Sequence, residues 1–243
     1  MIRRLTFVTL WVAAGSGIAG AVYWGFLNTP ESSTGALALS ALLALVTLAL
    51  VAITVNGATL GWISGWSSTL LRRSIAGIPA FLPAAALVLA VWWDVGLSTR
   101  WVMAHRGEIS AWFIATLGWA DVTLLFTAVE WAGRWLRWIG APVVALAMLG
   151  ALLDRGRPAG AVIVAIRSAL SPWRLLRVTL WGAVFVAVPW IYLVPWRPRG
   201  IPANSLEPAL VAAKLLVAAI IMAAGVSMVI REAVGPPRQE PSS

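Results

Sequence analysis

The chain has 243 residues, 60% of them hydrophobic and 11% charged, with a mean hydropathy of +0.88; a soluble domain carries roughly 45–50% apolar and about 25% charged residues. Eighteen basic side chains, of which only Lys214 is lysine, stand against nine acidic ones for a net charge of +9, with no cysteine and a single histidine, His105. These numbers exclude a soluble enzyme, thiolate chemistry, disulfides, Cys-ligated iron–sulfur clusters and multi-His metal or bis-His haem sites within the chain, and no cofactor is expected.

At about 20 residues per crossing, the length allows six or seven spans. The expected fold is all-α: a polytopic integral membrane helical bundle of six transmembrane helices, seven as the alternative, with interfacial amphipathic helices, in one membrane domain over 1–234. Arg3 and Arg4 precede an apolar run at 5–27, too long for the 7–15-residue core of a signal peptide and read as the first span. A turn-forming segment, Asn28-Thr29-Pro30-Glu31-Ser32-Ser33, leads to a second span at 34–56. Residues 57–73 read as an interfacial helix, because Gly57, Gly61 and Gly65 recur every four residues beside Trp62 and Trp66, with Arg72 and Arg73 at the end.

The third span is placed at 77–98, and a polar patch of Arg100, His105, Arg106 and Glu108 follows it. The fourth is placed at 109–133 and contains Asp121 and Glu130. Residues 138–153 are apolar but short and carry Pro142, so they read as a partial or re-entrant span. Residues 154–172 read as a basic surface helix, with Val162, Ile163, Ile166, Ala169 and Leu170 at helical spacing. Spans at 175–196 and 208–230 complete the set, and the Pro- and Ser-rich tail 235–243 is expected to be disordered.

Basic residues concentrate on the cytoplasmic side of membrane proteins, and this rule discriminates between the counts. Six spans place 13 basic residues inside and four outside, whereas seven spans give eight and nine. A third assignment makes 138–153 the fourth span, lays 109–133 on the outer face and splits the charges 11 to six. All but the seven-span count put both termini in the cytoplasm. Most tryptophans then fall in two interfacial belts, Trp24, Trp92, Trp93, Trp101, Trp112, Trp190 and Trp196 outside and Trp62, Trp66, Trp131, Trp135, Trp138 and Trp173 inside.

Gly15 to Gly20 match the pattern G-x-G-x-x-G. A dinucleotide fingerprint needs a strand before it and a helix opening at it, and this match lies within an apolar helix. Ala13, Gly17, Ala21 and Gly25 recur every four residues instead, so one face of the first helix lacks bulk and is expected to pack closely on a neighbour. An offset of 105 aligns Leu70–Gly77 with Leu175–Gly182 at four identities in eight, a weak sign of duplication.

A carboxylate within a span is a functional hypothesis by default. Asp121, placed about 18 Å deep by helix rise, and Lys214, about 9 Å deep, form a candidate intramembrane pair. Glu130 and Arg134 have the favourable i, i+4 order of a structural pair, and His105 reads as solvated. Arg72, Arg73, Arg155, Arg157, Arg167, Arg174 and Arg177 are expected to contact anionic lipid headgroups, and nucleic acid is not an expected partner. With no catalytic constellation in the sequence, the expected function is a non-catalytic subunit or scaffold of a larger assembly in the bacterial inner membrane, among other membrane subunits. The alternatives are a small-molecule or lipid transporter using Asp121 and Lys214, and a membrane-embedded enzyme on lipid-linked substrates.

Overall fold

The computed structural model describes residues 1–30, 32–119, 121–154, 160–189, 191 and 206–236, and all regular structure among them is helical. In chain order the helices are α1 (Ile2–Leu27), α2 (Thr34–Ser64), α3 (Leu70–Ala76), α4 (Ile78–Ala104), α5 (Arg106–Leu117), α6 (Thr123–Trp135), α7 (Ala141–Leu153), α8 (Ala161–Ala169), α9 (Pro172–Gly182) and α10 (Leu206–Val234). A π-helical segment, Leu136–Gly140, fuses α6 to α7, and a second, Ala183–Ala187, extends α9. Five stretches are long and apolar enough to cross a membrane: α1, α2, α4, the fused Thr123–Leu153 helix, and Ala209–Val234 of α10.

α1 and α2 form an antiparallel pair whose contact is set by aromatic rings opposite glycines. Trp11 lies over Gly57 and donates its indole N–H to the Thr54 carbonyl at 3.0 Å; Phe7 lies over Gly61, and Gly15 faces Thr54. Gly57–Ile63 therefore continue α2 in the bundle interior and are not part of an interfacial helix. Trp62, 2% exposed, donates to the Gly235 carbonyl at 2.7 Å and is a core residue, not a belt residue. The physical reason is that glycines and tryptophans at a spacing of four suit a close helix pair as well as an interface. α2 stops at Gly65, whose φ of +74° lies in the left-handed region that favours glycine.

The buried face of α1 is Val8, Val12 and Ala19, with Val8 and Val12 meeting Ala58 and Trp62 of α2 and Ile230 of α10. The small-residue face predicted at Ala13, Gly17, Ala21 and Gly25 is not this contact. Ala13 touches the core edge and Gly25 comes within 4.0 Å of Leu43, but Gly17 and Ala21 point outward and Gly17 has no neighbour within 4 Å. Large rings on α1 need glycines on the opposite helix, so the glycines that matter for packing are those of α2.

The region 106–153 also departs from the sequence reading. α5 ends at Gly118 with φ +68°, the chain turns, and a new helix begins at Thr123. The 109–133 stretch is thus interrupted, and 138–153 is the second half of one helix running Thr123–Leu153 rather than a re-entrant piece. The third assignment likewise makes 138–153 part of a long helix, but the structure puts 123–133 in that same helix and not in a separate outer segment. The π segment explains how the helix passes Pro142, which has no N–H and crowds the preceding turn. Ala141 N–H bonds to the Leu136 carbonyl, five residues back. In that register the missing N–H of Pro142 would have served the Arg137 carbonyl, and the Trp92 indole on α4 donates to it instead, at 3.0 Å. The same device precedes Pro189, where Val188 N–H bonds to the Ala183 carbonyl.

α4 runs antiparallel to this helix, with Gly77 against Leu153, Trp92 edge-on to Trp138 at 4.9 Å, and Thr99 against Gly133. α10 packs on α1, α2, α7 and α9, and Thr9 bonds to Ser227 at 3.3 Å across α1 and α10. The 105-residue offset would superpose α1 on 107–132, which Gly118–Val122 break, so the duplication is not carried into the fold. The predicted surface helix 154–172 contains α8, with Ala169 fully buried. Arg155, Arg157, the whole 192–205 connection and the tail from 237 onward lie outside the described residues.

Candidate functional site

Antiparallel packing brings the starts of α1, α4 and α9 and the ends of α2, α7 and α10 to one end of the bundle. Arginine concentrates there. Arg4 donates to the Ile63 carbonyl at 3.4 Å and Arg73 to the Ser64 hydroxyl at 3.2 Å. Arg100, Arg106 and Arg134 belong to the other end, and Arg137 lies midway along the Thr123–Leu153 helix beside Trp92.

Three cavities open at the arginine-rich end. The first, about 340 Å³ between α2, α4 and α7, is lined by Ser64, Arg73, Gly77 and Asp154 among apolar side chains. Beside it, Asn56 is fully buried and donates to the Ser74 carbonyl at 3.0 Å, while its Oδ1 has no hydrogen-bond partner. The second cavity, about 270 Å³, is lined by Trp62, Arg174, Arg177, Arg231, Glu232 and Gly235. Glu232 is 6% exposed in the last turn of α10, where the helix end is already negative, so this carboxylate needs cationic partners. Arg177 reaches Oε2 at 3.4 Å; Arg231 stands 3.1 Å from Oε1, within ion-pair range but without hydrogen-bond geometry. The Trp62 indole closes the end of α10 through its bond to Gly235. The third cavity, about 610 Å³, continues along α8 and α10 over Ala161, Val164, Ala165, Ala233 and Val234, and shares Arg174, Gly235 and Pro236 with the second.

Three guanidiniums around one carboxylate leave an excess of positive charge and many N–H donors, chemistry suited to a phosphate or carboxylate ligand. Among the described residues, no three His, Asp or Glu side chains are grouped closely enough to hold a metal ion. Of the predicted headgroup contacts, Arg174 and Arg177 meet in the second cavity and Arg73 lines the first, while Arg72 and Arg167 are exposed on α3 and α8. Arg231 and Glu232 escaped the sequence reading because they follow directly on a long apolar run and look like its flank; an acidic residue in the last turn of a helix was the available signal.

Asp121 is not in the middle of a span. It sits on the exposed link between α5 and α6 and accepts the Thr123 N–H at 2.8 Å. The Thr123 hydroxyl, and then this amide, hold its carboxyl below the ordinary aspartate range. Lys214 is half-buried on α10, which packs on α1, α2, α7 and α9, and the structure does not bring it to Asp121. The interruption at Gly118 is the reason: it turns a mid-membrane position into a linker. Glu130 and Arg134 do pair, on an exposed face of α6. His105 stacks on Trp101 at 4.6 Å, with Nδ1 2.9 Å from the Trp101 carbonyl. Compared with protein-family models, curated proteins and solved structures, the chain matches none.

Proposed function

We propose that this chain is a multi-pass inner-membrane protein of six crossings, the five long apolar helices plus the helix begun by α9, with its arginine-rich end and both termini in the cytoplasm. It acts as a non-catalytic subunit or scaffold of a larger membrane assembly. The charge asymmetry between the two ends supports the orientation. The observation that carries the partner is the length of the Thr123–Leu153 helix, 31 residues. At 1.5 Å per residue it extends about 46 Å, and a tilt of about 20° shortens its projection to roughly 44 Å, against about 30 Å of hydrocarbon.

With Leu153 at the inner boundary, the first turns of α6 stand beyond the lipid chains. Leu124 there is 82% exposed, and the adjoining α5 has no buried residue and presents Trp112, Ile114 and Leu117. Apolar side chains outside the hydrocarbon and outside the bundle are covered by a second protein in this reading. Copurification of the tagged chain from native membranes tests it. A stoichiometric partner that crosslinks to photoreactive groups at Trp112 or Leu124 supports the reading. A monodisperse single chain, labelled at those positions only by lipid, refutes it.

A further inference from the structure

The second and third cavities meet at Arg174, and they are opposite in character. One is a cationic pocket formed by the ends of α9 and α10; the other is an apolar groove between α8 and α10. Glu232 engages Arg177 and Arg231, whereas the Arg174 guanidinium makes no hydrogen bond or ion pair with any described residue. The Nε of Arg177 is buried without a hydrogen-bond partner. The cationic pocket therefore holds more guanidinium than its carboxylate neutralises, and its open side continues into a groove of Ala161, Val164, Ala165 and Val234. The groove's volume, about 610 Å³, falls within the range of roughly 300–1,000 Å³ found for ligand pockets.

We propose that this composite cleft is a binding site for one anionic phospholipid: Arg174, Arg177 and Arg231 take the phosphate and the α8–α10 groove takes the start of an acyl chain. An occupant with a charged head and an apolar tail is the class that satisfies both parts together, because a free phosphate leaves the groove empty and a neutral apolar molecule leaves Arg174 unpaired. The proposal relies on the functional reading only in that this end of the bundle lies at a lipid surface. It is measured on the purified chain, so its failure is separate from the failure to find a protein partner.

The test uses the full chain in a nonionic detergent, with thermal unfolding followed during titration of dihexanoyl phosphatidylglycerol, dihexanoyl phosphatidylcholine and inorganic phosphate in parallel. Stabilisation that saturates with the anionic lipid, but not with the zwitterionic lipid or with phosphate at equal concentration, is the expected result. Arg174→Gln should weaken apparent affinity about fivefold, the worth of one arginine near a headgroup. Arg72→Gln, on exposed α3, should leave it unchanged. Val164→Asp, which puts a like charge in the groove, should weaken lipid binding without altering the response to phosphate. If Arg174→Gln does not purify as a folded protein, Arg174→Lys and Val164→Asp provide the same comparison. Phosphate binding as tightly as the lipid overturns the acyl-chain half of the proposal. Equal losses in Arg72→Gln and Arg174→Gln, or no saturable binding at all, overturn the site.

Discussion

Gly57 provides the sharpest test of how the helices pack. An alanine Cβ at this position would stand 2.4 Å from three atoms of the Trp11 indole, and the ring cannot simply swing away without giving up its 3.0 Å bond to the Thr54 carbonyl. Overpacking of this kind costs about 1–3 kcal/mol, and a lost hydrogen bond adds about 0.5–1.5 kcal/mol. Against this, replacing glycine by alanine in a helix returns about 1 kcal/mol. Gly57→Ala should therefore be destabilised by roughly 1–3 kcal/mol. Gly17→Ala, with nothing within 4 Å, should be neutral or gain up to about 1 kcal/mol.

Reversible unfolding in detergent, followed by tryptophan fluorescence or circular dichroism, measures both. Trp11→Phe in the Gly57→Ala background should relieve the clash and yield a coupling of at least about 1 kcal/mol in the double-mutant cycle. If the two alanine variants are equally stable, or if the cycle is additive, the ring-over-glycine contact does not hold α1 to α2.

Trp92→Phe should cost about 1–3 kcal/mol by leaving the Arg137 carbonyl unpaired; adding Pro142→Ala, which restores a backbone N–H at that step of the helix, should recover most of it, and additive losses in unfolding experiments would contradict the pairing. Asp121 titrates below its ordinary value when folded, so its support of the α6 start is complete above the unfolded carboxyl pKa of about 3.9 and is lost as pH falls through the lowered folded value. The Thr123 amide resonance should follow that transition between about pH 5 and pH 2 and lose it in Asp121→Ala; a midpoint at or above the ordinary value would contradict the contact.

Composition alone makes this chain helical and apolar, and the runs over α1, α4 and α10 are visible because uninterrupted stretches of that length have few other uses. The end of α2 was not legible: Gly57, Gly61 and Trp62 have the residue types of an interface, and only the facing rings of Trp11 and Phe7 show that they are interior. Pro142 was misleading for a related reason. A proline in an apolar run is a break signal, yet a five-residue π segment and one indole donor from another helix remove the penalty, and neither is local in sequence. Gly118 and Asp121 carried the true interruption, but a single glycine and a single acid do not outweigh 20 apolar neighbours in a window average. Arg174 and Arg177 were recognisable as basic surface residues; their convergence with Arg231 and Glu232 depends on how α9 meets α10, and α10, apolar nearly all round, does not encode that in its periodicity.

The absence of cysteine makes the proposed orientation of the bundle directly measurable. Single variants Ser67→Cys, in the arginine-rich end, and Thr29→Cys and Gly107→Cys, at the opposite end, are exposed to a membrane-impermeant thiol reagent in intact cells whose outer membrane admits it. Thr29→Cys and Gly107→Cys should be labelled, and Ser67→Cys should be protected until the inner membrane is permeabilised. Labelling of Ser67→Cys in intact cells, or protection of Gly107→Cys while Thr29→Cys is labelled, would contradict it.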